Sequence, residues 1–559
     1  MKQEQEPKSV TNTVQIFCKN SKKSANFAQG TTLLQIYEHF LPELVKKPLC
    51  AAVNNQLQGL TFRVFGRKQV EFMDCTSAYG RKVYMRSLTF VLYKAVEDLF
   101  PGTRLIIEAP VSKGYYFLLS GRETTLEVVQ QLRQRMREII AQGERFHRIE
   151  APSEQVAALF RSQGLESKAL LIESLGRLYC YYYQLDNVYD YYYGPLVPST
   201  DYLDEFDLVK YYNGILLRIP REEGRIPEII KQEKMLNAFA EDHLLQERTG
   251  MTSIGHLNRL TQQGLSGYAI KVAEALQEKK VAKIAEQIAA RPDVRIVLIS
   301  GPSSSGKTTF SKRLCIQLMT CGLMPRLISL DNYFIDREKT PRDEKGDYDF
   351  EHLHALNLPL FQQHLTQLLQ GEEIELPRYD FPTGTSQASG QTLRLEPGTI
   401  LVMEGIHALN PQLTEGIPDS SKFRIYVSAL TSIKLDNHNY IPTTHNRLLR
   451  RIVRDNKYRG ISARQTLERW QSVRLGEERW IFPYQENADV MFNSALIYEL
   501  AVLRNYAMPL LESVPENCDA YLLAHVLRNF LHYFEPISDN ELPPTSLLRE
   551  FLGGSSFHY

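Results

Sequence analysis

Hydrophobic and polar positions change period several times along the chain. Thr13-Val14-Gln15-Ile16-Phe17 alternates, which predicts a half-buried strand, and Lys19-Asn20-Ser21-Lys22-Lys23 predicts the turn after it. Thr32-Leu33-Leu34-Gln35-Ile36-Tyr37 carries a helical pattern and Cys50-Ala51-Ala52-Val53-Asn54 a further strand. Residues 1–75 are therefore expected to form a small α+β module. Residues 76–220 predict an amphipathic helix from Leu88 to Leu99, a strand at Leu105-Ile106-Ile107 and a helix from Thr125 to Ala141. Tyrosine crowds residues 179–193, in Tyr181-Tyr182-Tyr183 and Tyr191-Tyr192-Tyr193. Aromatic packing on paired strands is the favoured reading, and a base-stacking platform is the other. Residues 221–290 predict a charged helical linker. Val272, Ala275, Leu276, Val281, Ile284 and Ile288 form the apolar stripe of its last helix.

The pattern changes at Val294. Val294-Arg295-Ile296-Val297-Leu298-Ile299 is a short apolar run, the mark of a buried parallel strand. Gly301-Pro302-Ser303-Ser304-Ser305-Gly306-Lys307-Thr308-Thr309 follows directly and fits G-x-x-x-x-G-K-[ST] in full. The two glycines let the loop curl and aim its N–H groups inward. Lys307 brings a point charge to the β- and γ-phosphates, and the Thr308 hydroxyl can ligate Mg²⁺. A helix begins there, with Phe310, Leu314 and Leu318 on one face and its positive end toward the phosphates.

More strands are predicted at 326–330, 399–403, 422–427 and 488–492, with helical patterns between them. Alternation of this kind implies a doubly wound parallel sheet, whose ligands lie at the carboxyl ends of the strands. Asp331 and Glu404 fall at such ends, where carboxylates can hold Mg²⁺ beside a triphosphate. Asp331 is the better candidate to accept a proton from an attacking hydroxyl.

Length and composition bound the rest. The chain has 559 residues, room for about three or four domains at roughly 150 residues each. Lys plus Arg number 65 and Asp plus Glu 65, which argues against a global basic field for nucleic acid. The seven cysteines form no CxxC pair, so neither a disulfide framework nor a zinc knuckle is expected. The polar start MKQEQEPKSV and the lack of a long apolar run lead to the expectation of a cytoplasmic protein with no membrane partner.

Residues 447–474 hold nine basic groups against two acidic ones. Arg447, Arg450, Arg451 and Arg454 share one helical face, and Arg459 precedes Gly460. The favoured reading is a lid whose guanidinium groups absorb charge on a transferring phosphoryl group. A solvated helix face and a nucleic-acid patch are the other two. Asn456-Lys457-Tyr458-Arg459 lacks the aspartate of a guanine-selecting motif, which favours ATP over GTP.

From about 294 to 495 these segments resemble the uridine kinase branch of the P-loop kinases, which includes phosphoribulokinase. The matching stretches are GPSSSGKTT (301–309), SLDNYF (329–334), FEH (350–352), PRYDF (377–381), VMEGIHAL (402–409), LRRIVRDNKYRG (449–460) and NADVMF (487–492). The resemblance implies Asp331 as catalytic base, with Lys307 and Arg454 as further catalytic groups. It implies ATP contacts by Gly301, Ser303, Ser304, Ser305, Gly306, Lys307, Thr308, Thr309, Arg451 and Arg459. Thr308, Asp331 and Glu404 would surround Mg²⁺. Asp331, Glu351, Tyr379, Phe381 and Arg451 would meet the acceptor, Glu351 standing where the family has an aspartate. Three departures bear on the acceptor. Gly384 replaces a histidine that helps select pyrimidines, Ile461 replaces an arginine, and Arg469 replaces a glutamine.

Residues 12–75 resemble the TGS domain of threonyl-tRNA synthetase, and 85–200 resemble its editing domain. The matched editing positions read Arg86, Phe90, Tyr192 and Leu196, which supply neither imidazole nor thiolate. This half is expected to have lost hydrolytic chemistry and to keep a binding or regulatory role, RNA included.

The domain plan expected is thus a TGS-like β-grasp domain (1–75), an editing-like α+β domain (76–220), a helical linker (221–290), an α/β P-loop kinase domain (291–500) and a C-terminal helical extension (501–559). The function expected is ATP- and Mg²⁺-dependent phosphorylation of a hydroxyl on a nucleoside-like molecule. An RNA-binding, translation-linked regulator that uses ATP as a switch ligand is the first rival, and an ATPase or scaffold with a degenerate pocket the second. A homo-oligomer stays open.

Overall fold

In the computed structural model, residues 12–221, 224–344 and 346–558 are described. The polar stretch MKQEQEPKSV, which bears on the expected cytoplasmic setting, lies outside the described residues. The chain forms two compact units. The first comprises Met1–Lys231 with two later segments, Leu435–Tyr440 and Val514–Phe530. The second comprises Gln232–Lys434, Ile441–Ser513 and Leu531–Tyr559. The stretch expected as a linker (221–290) crosses the boundary after Lys231, most of it falling in the second unit, and the C-terminal stretch 501–559 is divided between the two.

The first unit opens with a five-stranded sheet ordered Lys23–Ala28, Thr13–Cys18, Lys68–Met73, Cys50–Val53, Gln56–Gln58. Strand Thr13–Cys18 buries alternate residues, as its sequence predicted. Thr32 and Gln35 form a capping box on the helix Leu33–Phe40, whose Leu33 and Ile36 enter the core with Ile16, Val70 and Phe72. An antiparallel sheet follows, ordered Asp207–Tyr211, Gly214–Arg218, Gly114–Ser120, Arg104–Val111. Helices Ala78–Leu99 and Leu126–Ala141 accompany it, the second capped by Thr125.

The tyrosines fall largely on a three-stranded sheet, His147–Pro152, Tyr179–Leu185, Val188–Asp190. Their rings pack on one another: Tyr181 lies 5.6 Å from Tyr191 and Tyr182 lies 5.9 Å from Tyr189. The Tyr181 hydroxyl donates to the Tyr192 carbonyl at 3.0 Å. Phe90 and Tyr192 meet at 5.7 Å between ring centres, and Leu196 is buried.

The second unit is built on an all-parallel five-stranded sheet ordered Met324–Ser329, Thr399–Glu404, Ile296–Ser300, Lys422–Ser428, Val490–Asn493. The strand leading into the glycine-rich loop is central and fully buried. The helix after the loop, Lys307–Thr320, buries Phe310, Leu314 and Leu318. Helix Ser266–Ala289 lies against it through Arg313, which donates to Glu278 at 3.0 Å and to Gln277 at 2.7 Å. The first half of this helix departs from the predicted stripe. Ala273, Glu274 and Gln277 are buried there, while Ala275 is exposed. The polar pair is accommodated because each finds a polar partner, Tyr498 for Glu274 and Arg313 for Gln277. No helix among the described residues is long and apolar enough to cross a membrane.

Candidate active site

The phosphate loop leaves the central strand at Gly301, where no side chain fits: a Cβ would come within 1.9 Å of the Val427 carbonyl oxygen. Ser304 takes a left-handed backbone (φ 58°), and so does Gly306 (φ 85°), which turns the chain into the helix Lys307–Thr320. The first N–H groups of that helix, those of Lys307, Thr308 and Thr309, lack intrahelical acceptors by geometry and carry its positive end. The Ser304 and Ser305 hydroxyls are buried, with no hydrogen-bond partner. Lys307 is nearly buried and donates to the Pro302 carbonyl of its own loop at 3.2 Å. Orphaned donors around a cationic lysine fit a polyphosphate.

Glu404 ends its strand beside the loop. Its carboxylate accepts from the Ser329 hydroxyl at 2.9 Å and from the Thr308 hydroxyl at 3.4 Å. Burial and the neighbouring Asp331 charge push the Glu404 carboxyl up to about 7, against the pull of Lys307. Two neighbouring carboxylates and a hydroxyl suit a hard divalent cation, which would relieve the carboxylates' repulsion. Among the described residues no group of three or more His, Cys, Asp or Glu is placed to hold a metal ion. Such a cation would take its remaining ligands from phosphate and water.

The arginine face splits in two, which its spacing did not reveal. Arg447 and Arg450 are fully buried and brace the loop instead of covering it. Arg447 pairs with Glu477 and donates to the Ser303 carbonyl at 3.1 Å. Arg450 pairs with Glu499 and donates to the Ser304 carbonyl at 3.5 Å. Arg451, Arg454 and Arg459 form the other group. All three converge on Asp455, at 3.3, 2.7 and 3.6 Å. Arg451 also reaches the Ser303 hydroxyl at 3.2 Å. Burial and the Arg454 charge pull the Arg459 guanidinium down to about 10. Three cations share one carboxylate, so the cluster favours a further anion.

A hairpin, Ile374–Asp380 with Thr385–Leu393, adds a wall that no sequence pattern had predicted. Tyr379 at its end lies 5.5 Å from Phe334 and 5.1 Å from Phe381, and Arg459 stands 5.1 Å over the Phe381 ring. Gly384 (φ 73°) faces Arg337, whose atoms would lie within 2.7 Å of a Cβ placed there. The Arg337 guanidinium donates to the Phe381 carbonyl at 2.6 Å. Glu351 packs against Gly476, and burial pushes its carboxyl up to about 7 although Arg451 opposes this. Ser329, Glu477, Asp455 and Arg337 were not picked out in the sequence. Ser329, Glu477 and Arg337 owe their roles to partners distant in the chain, whereas Asp455 meets arginines on its own helix.

Residues 296–499 match the family model described as "Phosphoribulokinase / Uridine kinase family". The uridine kinase of Halobacterium salinarum is 30% identical over 195 residues, which is 34% of this chain and 77% of that protein. The uridine kinase of Lactobacillus helveticus is 29% identical over 197 residues, 35% of this chain and 84% of that protein. A solved structure titled as a possible uridine kinase from Bacillus stearothermophilus covers 38% of this chain and 98% of its own, at 21% identity and a TM-score of 0.27. Through this segment, the chain belongs to the phosphoribulokinase / uridine kinase family of kinases.

Proposed function

We propose that the second unit transfers the γ-phosphate of ATP to a hydroxyl of a nucleoside-like molecule. The carrying observation is the pair of buried, unpartnered hydroxyls of Ser304 and Ser305 beside Lys307, with Glu404 at the loop's edge and three arginines sharing Asp455. The loop N–H groups and Lys307 bind the β- and γ-phosphates, and Arg451, Arg454 and Arg459 offset the charge that spreads over the moving phosphoryl group. Thr308, Asp331 and Glu404 would hold Mg²⁺, which neutralises phosphate charge when bound. Asp331 accepts the proton of the attacking hydroxyl. The Ser329 hydroxyl accepts from its backbone N–H at 3.4 Å and helps place it. The wall of Phe334, Tyr379 and Phe381 suits a flat ring, and Glu351 suits sugar hydroxyls. Arg337 over Gly384 gives this wall a cation, so the ring accepted need not be uracil.

For the first unit we propose a TGS-like module followed by an editing-like module that binds without hydrolysing. The likeness in sequence and the aromatic contacts at Phe90 and Tyr192 support this. The test of the main reading is a panel of nucleosides and sugars incubated with γ-labelled ATP. One or more labelled monophosphates should form, and Lys307→Ala should lower the rate by about 10²- to 10³-fold without a change in melting temperature. Label appearing only as inorganic phosphate, with no acceptor accelerating it, would replace the kinase with an ATPase.

A further inference from the structure

The C-terminal segment had no role in the sequence beyond helical packing. Its conformation gives it one. Leu547, Leu548, Phe551 and Leu552 are buried in the second unit. The side chain of Leu547 lies against Gly306, where an added Cβ would meet it at 2.4 Å. Phe551 sits 5.1 Å from the Arg450 guanidinium carbon. Lys457, on the helix that carries the arginine cluster, donates to the Leu552 carbonyl. Lys312, on the helix after the phosphate loop, donates to the His558 carbonyl at 2.7 Å.

Between these anchors is Glu550. Its carboxylate accepts from the Thr309 hydroxyl at 2.7 Å and from the Thr309 backbone N–H at 3.1 Å. That N–H is the third at the start of the helix, one of the donors a phosphate would use. A carboxylate and a phosphate oxygen compete for it, and two anions cannot share it at close range. The segment thus supplies an anion to a site built for anions.

We propose that the segment Leu547–Leu552 is autoinhibitory: Glu550 occupies the place of a nucleotide phosphate at Thr309, and ATP binds only after displacing it. This rests on the kinase reading of the loop. The apparent dissociation constant for ATP then exceeds the intrinsic one by the inverse of the fraction with the segment released. The buried leucines and Phe551 remain as anchors, so the displacement is a local shift of the turn around residue 550.

The experiment titrates ATP with Mg²⁺ into the full chain, its Glu550→Ala variant and its Lys307→Ala variant, and follows hydrogen exchange of residues 546–553 in the wild type. Glu550→Ala should bind ATP about tenfold more tightly, and ATP should speed exchange in the wild-type segment. Unchanged or weaker ATP binding by Glu550→Ala, or slower exchange on adding ATP, would overturn the proposal. Should Glu550→Ala fail to fold, exchange in the wild type decides alone. Lys307→Ala separates the two levels. If it loses ATP while Glu550→Ala gains nothing, autoinhibition falls and the kinase reading stands. If it binds ATP as the wild type does, both fall.

Discussion

Two buried charge clusters, one in each unit, differ in how completely they are matched. In the first unit Lys168 is wholly buried and meets Asp190 at 2.6 Å and Asp436 at 2.7 Å, while Asp190 also faces His438 at 2.7 Å. Burial alone would raise Asp190, but Lys168 and His438 outweigh it and hold the carboxyl well below the usual range. Asn439 donates to the far oxygen of Asp436 at 2.7 Å. Each charge here has partners within the protein. In the second unit three arginines share Asp455, two loop hydroxyls have no partner, and Glu404 and Asp331 repel one another. A buried network that closes on itself holds a fold in one arrangement. A network with surplus cations at one edge and surplus carboxylates at the other would be completed by a ligand that carries both a polyphosphate and a cation, as proposed above.

Substitutions at the two clusters should have different consequences. The largest effect is expected at the open cluster. Asp331→Asn should cut turnover by between about 10² and 10⁴. ATP affinity should stay within a factor of three, checked by titration alongside steady-state rates. An unchanged turnover number would remove Asp331 from the chemistry. At the closed cluster, Lys168→Met should cost about 3–5 kcal/mol of stability because it strands two buried carboxylates. Denaturant unfolding measures this loss, and the ATP affinity of the folded variant should match the wild type. A variant that keeps its stability but loses ATP would invert the comparison.

A smaller effect follows from Glu404. Its carboxyl lies near 7 in the fold against 4.5 for an ordinary glutamate. The metal-free fold therefore holds the proton more tightly than the unfolded chain, and its stability declines as pH rises from about 4.5 to about 7. The ionised form, which a cation needs, is complete only above that window. The Mg²⁺ concentration for half-maximal activity should rise by about tenfold per pH unit below 7. A flat Mg²⁺ requirement between pH 6 and 8 would remove Glu404 from the metal site.

The open cluster was far more legible in the sequence than the closed one, for a physical reason. The phosphate loop is contiguous, so its glycines, Lys307 and Thr308 appear together, and Asp331 and Glu404 stand at the ends of apolar runs. The same local rules gave the alternation of Thr13–Phe17 and the helix from about Thr125 to Ala141. What stayed hidden depends on distant partners. Asp436 and Lys168 are 268 residues apart, and Glu550 and Thr309 are 241 apart. Helical spacing put Arg447 and Arg450 on the face of Arg451 and Arg454. It could not say that Glu477 and Glu499 would bury the first two. The hairpin wall was missed because Thr385–Leu393 is polar and exposed along most of its length.

The surplus cations at Asp455 are proposed to serve a polyphosphate. The direct measurement is calorimetric titration of ATP with Mg²⁺ into the wild type and into the Arg451→Gln/Arg454→Gln double variant. Saturable one-to-one binding is expected for the wild type, weakened at least about tenfold in the variant. Equal affinity in both proteins, or no binding by the wild type at millimolar ATP, would contradict this role.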